Sequence, residues 1–263
     1  MENVFAVANS GMVALNKKLM GLTNDISNAQ TIGYKGTRVE FETIFSQLLR
    51  DAQVQYETET TAPQGEAFGL GVRVGSTLRD MREGTLQTTE SPYDLAILGD
   101  GFFQIQLPSG DMAYTRAGNF RLDNQLKLVT SQGYTVEPEL RFPSNVVDVT
   151  VDSQGHVFVT LDGSSDAQTL GQLTLAKFVN PQGLLAAGDN LFTGTEASGD
   201  PQVGYPGDSG FGDVAQFSLE NSNVDIVARL TELVLIQRNF DLIARAISAQ
   251  NNMLQSAIQT AQS

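Results

Sequence analysis

The residues best suited to chemistry are few. Gly207-Asp208-Ser209-Gly210 sets a serine between an acid and two glycines, and a nucleophilic serine needs a base within hydrogen-bond reach. His156 is the single histidine, and it follows the turn Asp152-Ser153-Gln154-Gly155 at the start of a predicted strand, outside any triad context. A Gly/Asp/Ser loop explains the tetrapeptide more simply. Asp152, Asp162 and Asp166 could offer oxygens to Ca²⁺, but no segment carries the spaced carboxylates and closing Glu of an EF-hand loop, so turn formation accounts for them. Gly69-Leu70-Gly71-Val72-Arg73-Val74-Gly75 has glycines at the wrong spacing for a dinucleotide fingerprint, and no βαβ pattern surrounds it. Paired carboxylates for glycoside hydrolysis stay open, because Asp and Glu are abundant and their spatial separation is unseen in a sequence. With no cysteine there is no disulfide, thiolate ligand or Cys nucleophile. The expectation is no catalysis, no cofactor and no metal.

Composition narrows the partners. Thirty acidic residues against sixteen basic give a formal charge of −14 in 263 residues, which argues against a nucleic-acid or anionic-membrane surface. At 41% hydrophobic the chain has material for a sizeable core. Glu2, then Asn9, Ser10 and Gly11, interrupt any signal-peptide pattern, and no run of about 18 apolar residues predicts a membrane span. Either the protein stays in the cytosol or it leaves by a route that reads no cleavable signal.

Behind these residues stand three kinds of element. Phe5, Ala8, Met12, Leu15, Leu19, Leu22, Ile26 and Ala29 step by threes and fours, the seam of a helix that packs lengthwise; Gly33 then breaks it. The C-terminus repeats the device with Ile226, Leu230, Leu233, Gln237, Phe240, Ala244, Ile247, Asn251, Leu254, Ile258 and Ala261, and Val227, Val234, Ile236 and Ile243 widen the stripe. Ser222 or Asn223 is the expected N-cap, with Asp225 in the first turn. Such helices would be roughly 40 and 50 Å long at about 1.5 Å per residue. Gln237 and Asn251 are polar interruptions that can fix register, as a buried Asn does in coiled coils. Between the helices the period drops to two in 94–98, 102–107, 119–122, 126–129, 147–151, 157–161 and 173–178, with turn residues between. Residues 180–213, rich in Gly, Asp, Pro and Ser, read as long surface loops, and 46–70 read as an extended connector or hairpin in which Gln55–Thr61 alternates like a strand.

The fold class is therefore α+β. Long terminal helices pack together and with neighbouring subunits in coiled-coil fashion, with an inserted all-β domain and an extended connector. The expected division is 1–30 (N-terminal helix, inner core), 31–75 (connector, with an extension at about 46–63), 76–215 (β-rich outer domain) and 216–263 (C-terminal helix, inner core). The apolar faces, Met12, Leu15, Leu19, Leu22, Ile26, Leu230, Leu233, Phe240, Ile247, Leu254 and Ile258, are the candidate subunit interface. A helical hairpin closed within one subunit is the competing reading.

Several stretches together resemble one family. Ser27-Asn28-Ala29-Gln30-Thr31-Ile32-Gly33-Tyr34-Lys35 resembles the signature closing the N-terminal helix of bacterial flagellar rod and hook proteins, with Ala29-Gln30 in place of the usual pair and Tyr34 for Phe. Leu98-Gly99-Asp100-Gly101-Phe102-Phe103-Gln104 and Tyr114-Thr115-Arg116-Ala117-Gly118-Asn119-Phe120 resemble the family's internal motifs. Leu219-Glu220-Asn221-Ser222-Asn223-Val224, followed by Gln237-Arg238-Asn239-Phe240, resembles its C-terminal segments. These motifs occur in family order from end to end. The length, the single modest β domain and the Gln55-to-Gly65 connector look most like a distal rod protein; a proximal rod or hook protein is the alternative within the family, and a secreted glycan hydrolase with helical oligomerisation tails the alternative outside it.

The resemblance implies an axial structural subunit, exported through the flagellar type III apparatus and polymerised helically into the rod that crosses the periplasm and transmits torque from motor to hook. It further implies copies of itself, proximal rod proteins, the hook protein and surrounding ring (bushing) proteins as partners, and no nucleic acid. On that reading Asn28, Thr31, Gly33, Tyr34 and Lys35 form a joint between an inner helix and an outer domain.

Overall fold

A computed structural model describes residues 2–44, 47–50, 66–163 and 166–262. The chain forms two compact units: Met1–Ile26, Thr37–Leu78 and Ile226–Ser263 in unit 1, and Ser27–Gly36 and Arg79–Asp225 in unit 2.

Unit 1 is built on two helices, α1 (Glu2–Ser27) and α2 (Ile226–Gln262). Neither contains proline, and each carries an apolar residue every three or four positions, so one face gains by burial along its whole length. Their contacts run antiparallel. Arg229 Nη2 lies 3.2 Å from Asp25 Oδ2, Lys18 Nζ lies 2.6 Å from Glu232 Oε1, and a Cβ on Gly11 would sit 3.6 Å from Ile243 Cδ1. Gly11 thus lets α2 come close near the start of α1. Strand Thr37–Thr43 pairs with Val72–Arg79, and this pair lies against α1: Asp25 accepts the Thr37 N–H at 3.0 Å, and Ser10 Oγ accepts the Val72 N–H at 3.2 Å. The Gly69–Gly75 run serves this approach, since a Cβ on Gly71 would fall 2.2 Å from Ser10 Oγ.

The buried stripe of α2 keeps Leu233, Phe240, Ile247 and Leu254 of the predicted spacing but turns in Ile236 and Ile243, which widen it, where the spacing had Gln237 and Ala244. Ile236 is its most buried residue at 2% exposure; Leu233, Phe240, Ile247 and Leu254 are half-buried, whereas Leu230 and Ile258 are exposed. The helix has apolar residues around most of its circumference, so two adjacent three-and-four stripes fit the sequence and only packing selects between them. Gln237 and Asn251 accordingly lie at exposed positions. On α1, Leu22 is buried at 3%, and Met12, Leu15, Leu19 and Ile26 are half-buried. The start of α2 also differs from expectation. Ile226 is its first residue, so Asp225 precedes the helix, while Ser222 Oγ accepts the Val224 N–H at 3.2 Å and Asn223 is engaged elsewhere.

Unit 2 holds a nine-stranded antiparallel sheet whose main path runs Leu185–Gly188, Leu191–Thr193, Met112–Thr115, Phe102–Gln106, Thr135–Glu137, Leu128–Val129 and Arg121–Leu122, with Leu175–Lys177 and Gln202–Gly204 alongside. A three-stranded sheet (Val146–Val151, His156–Leu161, Ala167–Gln172) and the pairs Leu95–Leu98 with Asp213–Gln216 and Leu86–Thr88 with Ser218–Glu220 complete it. Alternation along Phe102–Gln106 sends Phe103 into the larger core with Leu95, Ile97, Phe120 and Leu175, and Phe102 into a second cluster with Tyr114, Phe178 and Phe192.

The segment 180–213, expected to be loops, contributes three strands and a 3₁₀ turn at Pro181–Gly183. Its polar composition conceals Leu184, Leu191 and Phe192, all buried, and Asp189-Asn190 with φ of 51° and 58° make the tight turn between two of those strands. In the connector, Gln47–Arg50 pairs antiparallel with Glu66–Phe68, giving a hairpin's two arms; the expected strand at 55–61 lies outside the described residues.

Candidate functional site

Three stretches far apart in sequence meet at one buried ionic cluster in unit 2. Lys35 Nζ donates to Glu220 Oε1 at 2.6 Å and to the Arg82 carbonyl at 2.6 Å. Arg116 Nη1 reaches Glu220 Oε2 at 3.4 Å, and its Nη2 donates to the Gly99 carbonyl at 2.7 Å. The Lys35 and Glu220 side chains are 0% and 1% exposed, and that of Arg116 is 5%. Such a cluster is costly unless its charges are paired, and the pairing here is not complete, since Arg116 Nε is buried without a hydrogen-bond partner. Here one carboxylate faces two cations and also accepts the Gly84 N–H at 2.9 Å. Burial pushes the Lys35 ammonium below its ordinary value; the Glu220 charge and hydrogen bond oppose this without cancelling it, and Arg116 adds to the lowering. The Arg116 guanidinium also lies over the Phe102 ring, 5.3 Å from its centroid.

Backbone geometry fastens the same joint. Gly33 takes φ +68° and donates its N–H to the Glu220 carbonyl at 2.7 Å; a Cβ there would stand 2.5 Å from the Ala117 nitrogen, so only glycine fits. Asn223 adds a third stretch to a pair already joined by the Asp80 N–H donating to the Gly36 carbonyl at 2.8 Å: its Oδ1 accepts the Gly36 N–H at 2.8 Å, and its Nδ2 donates to the Asp80 carbonyl at 2.7 Å and the Arg82 carbonyl at 3.0 Å. Arg79 donates to the Lys35 carbonyl at 3.0 Å and packs over Tyr34, 5.6 Å from its centroid. Asn190 Nδ2 donates to the Ile32 carbonyl at 2.8 Å.

The structure gathers most of the sequence-selected residues here. Gly33, Tyr34, Lys35 and Arg116 are in the joint, as is Asn223; Asn28 and Thr31 shape its approach, Thr31 Oγ1 lying 3.2 Å from Asn28 Oδ1. Asn221 donates its N–H to the Thr85 carbonyl at 2.9 Å, and Val224 leads on toward α2. Gly118 is tied to the core, since a Cβ on it would fall 1.6 Å from the Leu95 carbonyl oxygen, and a Cβ on Gly101 would press Leu175 at 3.1 Å. Phe102, Phe103, Tyr114 and Phe120 are packing residues: Phe103 meets Phe120 edge-on at 5.0 Å and Tyr114 meets Phe178 at 4.8 Å. Gln237 and Arg238 belong to exposed positions of α2 and to unit 1. Sequence reasoning passed over Arg79 and Asn190, and it held Glu220 only as part of a family-like motif, without a role. The signal for Glu220 was a pair of cations inside family-like motifs, Lys35 and Arg116, whose burial requires an anion.

The catalytic candidates do not assemble. His156 Nδ1 lies 3.0 Å from Asp152 Oδ2, and Asp152 Oδ1 also accepts the His156 N–H, so the acid shapes its turn. No hydrogen bond among the described residues joins Ser209 to His156.

Comparison with known proteins agrees with this geometry. Residues 96–159 match the flagellar hook protein FlgE/F/G D1 domain, and residues 215–260 match the flagellar basal body rod FlgEFG protein C-terminal region. The chain is 43% identical over 253 residues to the flagellar basal-body rod protein FlgG of Caulobacter vibrioides, covering 96% of this chain and 97% of that one. It belongs to the FlgG family of flagellar basal-body rod proteins. Its likeness to FlgG of Borreliella burgdorferi is 39% over 256 residues, 97% of each chain, and to FlgG of Bacillus subtilis 34% over 254 residues, 95% of each. In this chain the ionic joint links the two matched regions: Arg116 lies in the first and Glu220 in the second.

Proposed function

We propose that this protein is a structural subunit of the flagellar distal rod, polymerising through its terminal helices into the tubular drive shaft that carries torque from motor to hook. It is a rod protein and not an enzyme. The observation that carries the reading is how charge and apolar surface are distributed. Helix α1 sets Glu2 and Asp25 against Lys17 and Lys18, a balance of zero; α2 sets Arg229, Arg238 and Arg245 against Glu232 and Asp241, a balance of +1. The rest of the chain therefore carries −15 of the whole-chain −14. Net repulsion between copies of so acidic a protein is weakest along the near-neutral helices.

Apolar surface is uncovered along those helices, as it is at Val147, Val179, Leu185 and Val203 in unit 2. Val13 and Met20 on α1, and Val227, Leu235, Leu242, Met253 and Ile258 on α2, are all more than half exposed. Covering each one contributes on the order of 1.5–3 kcal/mol, which neighbouring copies supply. The half-buried residues Met12, Leu15, Leu19, Phe240 and Ile247 back this surface from the intramolecular side. Coiled-coil packing between subunits, contacts with proximal rod, hook and ring proteins, passage through the type III export apparatus and a position across the periplasm complete the proposal. The extension at about 46–63 is assigned to packing between subunits. Electron microscopy of the purified protein after concentration, and of basal bodies carrying a labelled copy, tests it: tubes and label along the distal rod are expected, and a strictly monomeric protein with no basal-body label rejects it.

A further inference from the structure

We infer that Lys35, Arg116 and Glu220 form a completeness latch: Glu220 is a positioning residue without which the joint stays open, and an open joint keeps a subunit from polymerising. The inference rests on the proposed polymer function for its last step only.

The two hydrophobic clusters of unit 2 contain no residue before Met81 or after Val214, although the flanking segments 27–36 and 216–225 each bury one apolar side chain, Tyr34 and Leu219. The 27–36 segment is held in part by contacts that need nothing after residue 190, among them Lys35 to the Arg82 carbonyl and Asn190 to the Ile32 carbonyl, but its charged pairing and the Gly33 and Gly36 N–H bonds wait for Glu220 and Asn223. Lys35 and Glu220 are 185 residues apart, and Gly36 and Asn223 are 187 apart. The chain passes between its two units after residues 26, 36, 78 and 225. The latch draws on the stretches flanking these crossings: Gly33–Gly36, Asp80–Gly84 and Glu220–Asn223.

Charge makes the closure conditional. If Glu220 is absent, Lys35 and Arg116 are two cations sharing one desolvated site with no carboxylate in direct contact, Glu83 and Asp80 acting on Lys35 only at longer range, and the 27–36 segment gains by staying in water. If Lys35 alone is removed, Arg116 and Glu220 remain a neutral pair. The two losses are therefore unequal. A chain whose last 45 or so residues have not arrived can hold a folded β core, but it cannot close the latch from which α1 and α2 depart.

Amide hydrogen exchange in the full-length protein reads the latch directly at Gly33 and Gly36, whose N–H groups bond to the Glu220 carbonyl and to Asn223 Oδ1. Amides of the 102–106 strand report the core. Glu220→Gln keeps an acceptor for Gly84 but removes the charge; it is expected to lose about 100-fold or more protection at Gly33 and Gly36 with the core amides unchanged. Lys35→Met is expected to lose less than about 10-fold, and adding Lys35→Met to Glu220→Gln is expected to restore part of the protection, which a purely steric role for Glu220 would not do. Sedimentation of the same variants reads assembly, with Glu220→Gln failing to pellet as polymer. Protection within about threefold of wild type in Glu220→Gln, no rescue in the double variant, or an open latch in a variant that still polymerises would each overturn the inference. Absence of polymer from the wild-type protein would instead count against the proposed function, leaving the exchange data to decide the latch.

Discussion

Lys35 Nζ lies 2.6 Å from Glu220 Oε1 with both side chains sealed from solvent, although 185 residues separate them. The pair joins the exit of one terminal helix to the entrance of the other. Around it, side chains and backbone answer one another so closely that single substitutions should have large and separable effects.

Asn223 is the clearest neutral case. Asn223→Ala removes an acceptor from Gly36 and a donor from the Asp80 and Arg82 carbonyls. The expected loss is about 2–4 kcal/mol, read as a lowered urea midpoint, because partners are left unsatisfied in a partly buried site. A change below about 0.5 kcal/mol would show that water replaces the side chain without cost.

Two glycines provide a matched comparison. Gly33→Ala meets both a positive φ and the Ala117 backbone at 2.5 Å, whereas Gly110→Ala, at φ +91°, meets nothing within 4 Å. The first should cost roughly 3 kcal/mol or more and the second roughly 1–2 kcal/mol, since only the first adds a backbone clash to the conformational penalty. Equal losses in denaturant titrations would mean that the joint relaxes around a new methyl.

Acid should weaken the helix pair through Glu232. Burial alone would raise this carboxyl, but hydrogen bonds and charge from Lys18 and Arg229 outweigh it and hold the folded pKa below the ordinary glutamate value. A depressed carboxylate pKa contributes stability that is fully present above the unfolded pKa and is lost as pH falls through the folded one. Wild type should therefore exceed Glu232→Gln in helix melting temperature at pH 7, and the difference should shrink as pH falls below about 4.3. A difference independent of pH would remove the ion pair from the explanation.

Assembly and folding should separate on the helices. Leu242, 62% exposed, can become Asp with little effect on the monomer while polymerisation is lost. Leu19→Asp and Ile247→Asp, at half-buried positions, should abolish assembly and also loosen α1 against α2 while the β core stays folded. Circular dichroism with sedimentation separates the two effects; normal polymers from Leu242→Asp would free that face of any role between subunits.

Much of the architecture was legible because its causes are local. Three-and-four spacing announced α1 and α2, alternation announced seven of the strands from Leu95 to Lys177 but not Met112–Thr115, Thr135–Glu137 or Ala167–Gln172, and motif order announced the family. Where polar residues dominated composition, as in 180–213, three buried apolar side chains were enough to make strands that averaging hid. What the sequence left undetermined was pairing at a distance. It offered two usable stripes on α2 and could not say that Ile236 would turn inward, since helical periodicity describes one helix and burial requires two. Nor could it say that Glu220 answers Lys35 and Arg116. A carboxylate looks alike among thirty acidic residues until the fold removes water from one of them, and desolvation is a property of the tertiary structure alone.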